Sequence, residues 1–321
     1  MSIGKGVSVE RRSAVVPGVR VLRQLCLLFA VGVVAVPDVA SAQAVACKPT
    51  VTGRVDTFPL ASDIFHNTRM LRVWLPPGFD PLRKYPVLYI LDGASAFDAC
   101  TAFKHEEMRA DETLTELIAS GRIPPIIAVG VDNGSDATGN VDDGALRARE
   151  FLPFADPTYP KSLVPLGAAF PTFLEKEVMP AIAARYPVGI GPDHTALWGA
   201  SYGGVAALYV LLGRPDLFGA GIVESPALQV GNGQLLRDTT SLVIAPARLA
   251  IGVGTAEVTD VPDATAVNKQ IVRAVQQLVQ NLKAAFVSGR VQLTVTPNGR
   301  HDTPTFGRRF QAGLLFLYGP Q

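Results

Sequence analysis

Residues 195–204 constrain this chain more than any other stretch. An apolar run, Thr195-Ala196-Leu197-Trp198, leads into Gly199-Ala200-Ser201-Tyr202-Gly203-Gly204, and a second apolar run, Val205-Ala206-Ala207-Leu208-Tyr209, follows at once. The first run has the length of a buried strand and the second opens a helix. A chain that passes from strand to helix this abruptly holds Ser201 in a strained backbone conformation. Its neighbours must then be small, and Gly199 and Gly203 meet that demand. This is the G-x-S-x-G pattern of a nucleophile elbow. The plain alternative is a glycine-rich turn, and the strand before and helix after argue against it.

The rest of the chain repeats the alternation. Short apolar runs at 87–91, 126–131, 221–223, 249–253 and 291–295 read as buried strands. Residues 69–75 alternate and end at Pro76-Pro77-Gly78, which reads as an early antiparallel strand and a turn. Helical spacing appears at 173–186, and over 268–286 with apolar residues at 271, 272, 275, 278, 279, 282 and 286. The expectation is one α/β domain over residues 43–321, with a mostly parallel central sheet flanked by helices. Residues 132–167, rich in Gly, Asp and Pro, are too long for an ordinary connection and are expected to form a lid-like segment.

Residues 1–42 do not look like domain material. Lys5, Arg11, Arg12, Arg20 and Arg23 precede an apolar stretch at 25–36, then Pro37 and the small-residue site Ala40-Ser41-Ala42. This is the layout of a secretory signal peptide cut before Gln43, and it implies a periplasmic or secreted protein with no stable membrane insertion after processing. The apolar stretch is short of the roughly 20 residues that span a bilayer. Loss of the leader removes five basic and two acidic side chains from 29 and 28, leaving 24 and 26, a net charge of −2. That balance speaks against a nucleic-acid partner. Cys47 and Cys100 remain, either joined as a disulfide or both free.

A serine hydroxyl needs a base to take its proton. In the elbow architecture the order along the chain is serine, acid, histidine. His66, His105 and His194 precede Ser201, and His194 stands at the wrong end of the nucleophile strand, so His301 is the candidate base. The acid, which orients the imidazole, belongs after the strand at 249–253. Glu257, Asp260 and Asp263 all qualify, with Glu257 first, and Glu224 is an outsider. Backbone N–H groups of Tyr202 and of Ala94, in the turn Leu91-Asp92-Gly93-Ala94, are the candidate oxyanion donors. No His/Cys/Asp cluster has ligand spacing, so neither a metal nor another cofactor is expected.

Residues 69–79 (RMLRVWLPPGF) and 85–93 (YPVLYILDG), with Gly199–Gly204, Gly254-Thr255-Ala256-Glu257 and Gly299-Arg300-His301-Asp302, resemble the esterase D-like group of α/β hydrolases. The likeness covers nearly all of residues 55–315 and is nearest to the siderophore-esterase branch. It implies the α/β-hydrolase fold, a serine carboxylic ester hydrolase acting on a small-molecule ester through an acyl-enzyme, and Glu257 as the acid. Arg147, Arg149, Glu150 and Phe151 resemble an arginine–glutamate element of that branch, which implies a role for the element in shaping the pocket, with Arg149 and Asp92 as the candidate substrate-binding residues. Asp92 lies where the mycolyltransferases of the group place a carboxylate near an acceptor sugar. That resemblance keeps open acyl transfer to a sugar or other alcohol by the same three residues. A non-catalytic binding protein on the same fold is the remaining alternative.

Overall fold

The computed structural model describes residues 47–134, 144–157, 163–241, 248–285 and 290–320. The expected leader at 1–42 lies outside the described residues, as do residues 135–143 and 158–162 of the expected lid. From Cys47 onward the chain builds β1 (Arg54–Ser62), β2 (Asn67–Leu75), β3 (Val87–Leu91), α1 (Ala110–Ala119), β4 (Ile127–Val131) and α2 (Gly144–Phe151). Then α3 (Phe170–Phe173) continues through a π-helical turn at Leu174–Val178 into α4 (Met179–Ala183). The second half supplies β5 (Thr195–Ala200), α5 (Tyr202–Gly213), β6 (Ala220–Glu224), α6 (Val230–Asp238), β7 (Arg248–Ala256), α7 (Ala264–Ala285), β8 (Val291–Arg300) and α8 (Thr303–Tyr318).

The strands form one sheet in the order β1-β2-β4-β3-β5-β6-β7-β8. β2 runs antiparallel to both β1 and β4, and every pair from β4 to β8 is parallel. This is the α/β-hydrolase arrangement. Parallel strands are covered by helices on both faces, so β3, β4 and β5 are buried at every residue. That is why they read as unbroken apolar runs rather than alternating ones. β1, by contrast, is an edge strand with few buried residues, and its sequence carries no comparable run.

One face of the sheet is covered by α2, α3, α5 and α7, with Phe151, Phe170, Phe173, Val205 and Leu278 in its core. On the other face α1 and α8 pack through Leu114, Leu117, Phe310 and Leu314 against Trp74 and Trp198. The stripe along α7 buries Val275, Leu278, Val279 and Leu282, the spacing of a single helical face. The chain proceeds from β3 outward to β4, then crosses back to place β5 on the other side of β3. Such a switch leaves a crevice beyond the carboxyl ends of the two strands, where ligands bind in open α/β sheets.

The N-terminal arm is pinned to the body of the domain. Cys47 and Cys100 are joined as a disulfide across 53 residues. Thr52 adds two anchors, its carbonyl accepting from Trp74 Nε1 at 2.9 Å and its N–H donating to the buried Asp111 at 2.5 Å.

Candidate active site

The elbow follows from steric necessity. Ser201 sits at φ 58°, ψ −122°, a region that costs a residue bearing a Cβ on the order of 1–3 kcal/mol. A Cβ at Gly199 would fall on the carbonyl of Gly203, and one at Gly204 would stand 3.1 Å from the carbonyl of Glu224. The strand and helix can approach this closely only because those side chains are missing. The turn is tied to the end of β6, with Ser201 N–H donating to Glu224 O at 3.0 Å.

Ser201 and His301 line the same cleft, of about 1060 Å³, together with Ala94, Arg147, Trp198 and Phe306. His301 directly follows β8, its ring edge-on to Phe306 with centroids 5.2 Å apart. Its Nδ1 is 2.5 Å from Glu257 Oε2. A carboxylate there can only accept, so the proton sits on Nδ1 and Nε2 is left to act as the base. The His301 side chain is 36% exposed and that of Glu257 only 1%, so one end of the pair faces the cleft and the other the interior.

Glu257 directly follows β7. Its Oε1 accepts from Ser225 Oγ at 2.6 Å and from Gly254 N–H at 2.5 Å. Burial alone would push the Glu257 carboxyl up, but the donors from His301, Ser225 and Gly254 outweigh it and hold the group below the usual range. The rival carboxylates are elsewhere. Asp260 and Asp263 are exposed, and Glu224 is paired with Arg309 at 2.5 Å. Exposed His66, His105 and His194 stand apart from the cleft lining.

The turn after β3 brings Ala94 to the cleft, while Tyr202 opens α5 at the positive end of its dipole. Asp92, at φ 56°, is clasped rather than open. Arg147 Nε donates to its Oδ1 at 2.6 Å and Arg147 Nη2 to its Oδ2 at 2.8 Å, and Asn133 Nδ2 adds a bond of 2.9 Å to Oδ1. A further bond of 3.4 Å joins Arg147 Nη2 to Ala200 O, beside the elbow. The guanidinium lies 5.6 Å from the Tyr202 ring centroid.

For Arg149 the expectation needs correcting. Its side chain is exposed and takes no part in the cleft lining, which Arg147 joins instead. Two residues along a helix turn through about 200°, so these arginines face opposite ways. Ala148, Glu150 and Phe151 are the buried positions of α2, and Arg147 reaches Asp92 from the same helix. The sequence reading also passed over Arg72 and Asp132, a second bidentate pair in the lining at 2.8–3.1 Å. Burial pushes the Asp132 carboxyl up and Arg72 opposes it. Alternation within β2 places Arg72 and Met70 on the same side, and that was the available signal.

A family model described as "Esterase: Putative esterase" matches residues 62–317. The siderophore triacetylfusarinine C esterase of Aspergillus fumigatus is 32% identical over 162 residues, 49% of this chain and 49% of that protein. The iron(III) enterobactin esterase of Dickeya dadantii is 26% identical over 190 residues, 59% of this chain and 37% of its own length. The chain thus spans half or less of these two curated relatives. Among solved structures, the BES protein from Bacillus cereus superimposes with a TM-score of 0.65 at 18% identity, covering 85% of this chain and 99% of that one. Siderophore hydrolase EstB from Aspergillus nidulans gives 0.62 at 21% identity, over 83% and 96%. At such identities the structural matches speak for the fold alone. With the family model spanning β2 to α8, about four fifths of the chain, this chain belongs to the putative esterase family.

Proposed function

We propose that this protein is an exported carboxylic ester hydrolase in which Ser201 is the nucleophile, His301 the base and Glu257 the acid. The observation that carries the reading is the 2.5 Å contact of His301 Nδ1 with Glu257, in the cleft that the elbow serine also lines. Ser201 Oγ attacks the ester carbonyl while His301 Nε2 takes its proton. Glu257 keeps the imidazole in the right tautomer and stabilises its charged form. The N–H groups of Tyr202 and Ala94 bind the oxygen that becomes negative. The protonated His301 then gives its proton to the leaving alcohol, and a water, activated the same way, releases the acid.

The relatives named for triacetylfusarinine C and enterobactin esters support an ester-linked siderophore as substrate. The lining carries four cationic side chains, Arg72, Lys104, Arg147 and Arg300, beside four carboxylates, Asp92, Glu106, Asp132 and Asp302, so its formal charge is balanced. Arg72 is paired with Asp132, Arg147 with Asp92 and, at 3.7 Å, Arg300 with Asp302, while Lys104 lies over the Phe103 ring. Export is supported by the leader-like residues 1–42 and by the Cys47–Cys100 disulfide, a bond that persists in oxidising compartments. Acyl transfer has no comparable support, since both oxygens of Asp92 are held by Arg147.

The test uses mature protein from Gln43 with a fluorophosphonate probe, p-nitrophenyl esters and a siderophore trilactone, beside Ser201→Ala. Labelling is expected to vanish in the variant and turnover to fall by on the order of 10⁶-fold. Undiminished turnover in Ser201→Ala would refute the assignment. Esterase activity without trilactone cleavage would remove only the siderophore.

A further inference from the structure

Glu257 is reached by a buried chain of polar groups that the proposed reaction does not use. Arg309, on α8, donates from Nε to Glu224 Oε2 at 2.5 Å and from Nη2 to Ser225 Oγ at 2.8 Å. Ser225 Oγ in turn bonds Glu257 Oε1 at 2.6 Å. Guanidinium groups only donate, so Ser225 must accept from Arg309. The single hydroxyl hydrogen of Ser225 is thereby directed at Glu257. With Gly254 N–H on the same oxygen, Oε1 carries two donors and Oε2 is left to His301 alone.

We propose that Ser225, aimed by the Glu224–Arg309 pair, is a positioning residue that holds Glu257 ionised and turned toward His301. The inference rests on the reading of Glu257 as the acid of the hydrolase. Three features speak for a positioning role over a stabilising one. Glu224 and Arg309 side chains are each 3% exposed, and a buried ion pair of this kind commonly stabilises a fold less than apolar packing in its place. Arg309 Nη1 is buried without a partner among the described residues, so the arrangement is not optimised for its own satisfaction. Ser225 stands at φ 41°, backbone strain of the kind that gathers at working sites. The sheet also makes way for the pair, because a Cβ at Gly252 would collide with the Glu224 carboxylate and lie 2.7 Å from Arg309 Nε.

The turn serves both halves of the site. Glu224 O accepts from Ser201 N–H, and Ser225 N–H donates to Gly252 O at 2.8 Å, so one residue pair ties the ends of β5 and β6 to the middle of β7. Three strands are thus held in register beside the point where the nucleophile leaves the sheet.

Ser225→Gly removes the hydroxyl while relieving the positive φ, so the variant keeps its fold. Expected is a fall in kcat of roughly ten- to a hundredfold, the usual cost of losing a group that orients an active one. KM stays within about twofold, since no substrate contact is lost. The far-downfield proton NMR signal of the His301–Glu257 bond shifts or broadens away. Arg309→Lys, which keeps the charge but can no longer reach Glu224 and Ser225 together, moves kcat and the signal in the same direction. A wild-type kcat in Ser225→Gly, or a reduced kcat with the NMR signal unmoved, overturns the proposal. Ser201→Ala, measured alongside, separates the two readings. If it retains turnover the hydrolase assignment fails, whereas an inactive Ser201→Ala beside a fully active Ser225→Gly removes only the role of Ser225.

Discussion

The helix that brings Arg147 to the cleft is bolted to the sheet by one buried ion pair. Glu150 on α2 accepts from Arg69 Nη1 at 2.9 Å, Arg69 Nη2 at 3.1 Å and Asn67 Nδ2 at 2.5 Å. The Arg69 side chain is 0% exposed, its guanidinium lying 4.4 Å from the Phe173 ring and 5.2 Å from that of Phe65. Glu150→Leu removes all three bonds and strands a guanidinium whose Nε already has no partner among the described residues. An uncompensated buried charge costs about 3–5 kcal/mol. A domain of this size loses roughly 2–4 °C of Tm per kcal/mol, so the midpoint is expected to fall by roughly 6–20 °C. Adding Arg69→Met puts an apolar chain between the two phenylalanine rings and takes the orphaned charge away. The double variant is therefore expected to be more stable than Glu150→Leu alone, with a coupling of about 2 kcal/mol in a urea-titration cycle. Additivity within about 0.5 kcal/mol would show that the two groups do not act as a pair, and would refute the argument.

Two further outcomes follow from the N-terminal arm. Burial, with Glu112 beside it, pushes the Asp111 carboxyl from 3.8 up to about 8, against the pull of the Thr52 N–H. A carboxyl raised on folding keeps a proton that the unfolded chain has released, so stability falls as pH rises between about 4 and 8, by up to about 1.4 kcal/mol per unit. Asp111→Asn should flatten that slope in denaturant midpoints taken from pH 5 to 9, and an unchanged slope would remove Asp111 as its source. The disulfide closes a loop of 53 residues, worth about 4 kcal/mol in the chain-entropy account. Cys47→Ser with Cys100→Ser is then expected to lower Tm by roughly 8–16 °C, and a midpoint within about 2 °C of the parent would show that the arm contributes little.

Much of the architecture was legible because buried parallel strands must be apolar throughout. Residues 87–91 coincide with β3, and those at 126–131 and 195–198 fall on β4 and β5 to within two residues. The long helix at 268–286 is α7, extended by four residues at its start. β1 went unread because an edge strand does not need an apolar run. α2 went unread because its role is to bury Glu150 and Phe151 while presenting Arg147, a pattern that resembles a polar loop.

What the sequence by itself determined was local. A strand, a tight turn and a helix must meet at Ser201, because glycines there permit an approach that any Cβ would block. Chain order then left His301 as the only histidine downstream. What only the tertiary structure decided was pairing across long separations. Glu257, Asp260 and Asp263 are near neighbours in the chain, and it is the register of β7 beside β8 that sets Glu257 against His301 and leaves the other two in solvent. The same holds for Asp92 with Arg147, 55 residues apart, and for Ser225 with Arg309, 84 apart. A hydrogen bond needs its partners within a few tenths of an ångström of one distance, and no spacing along the chain encodes that. It is decided by how strands register and helices pack.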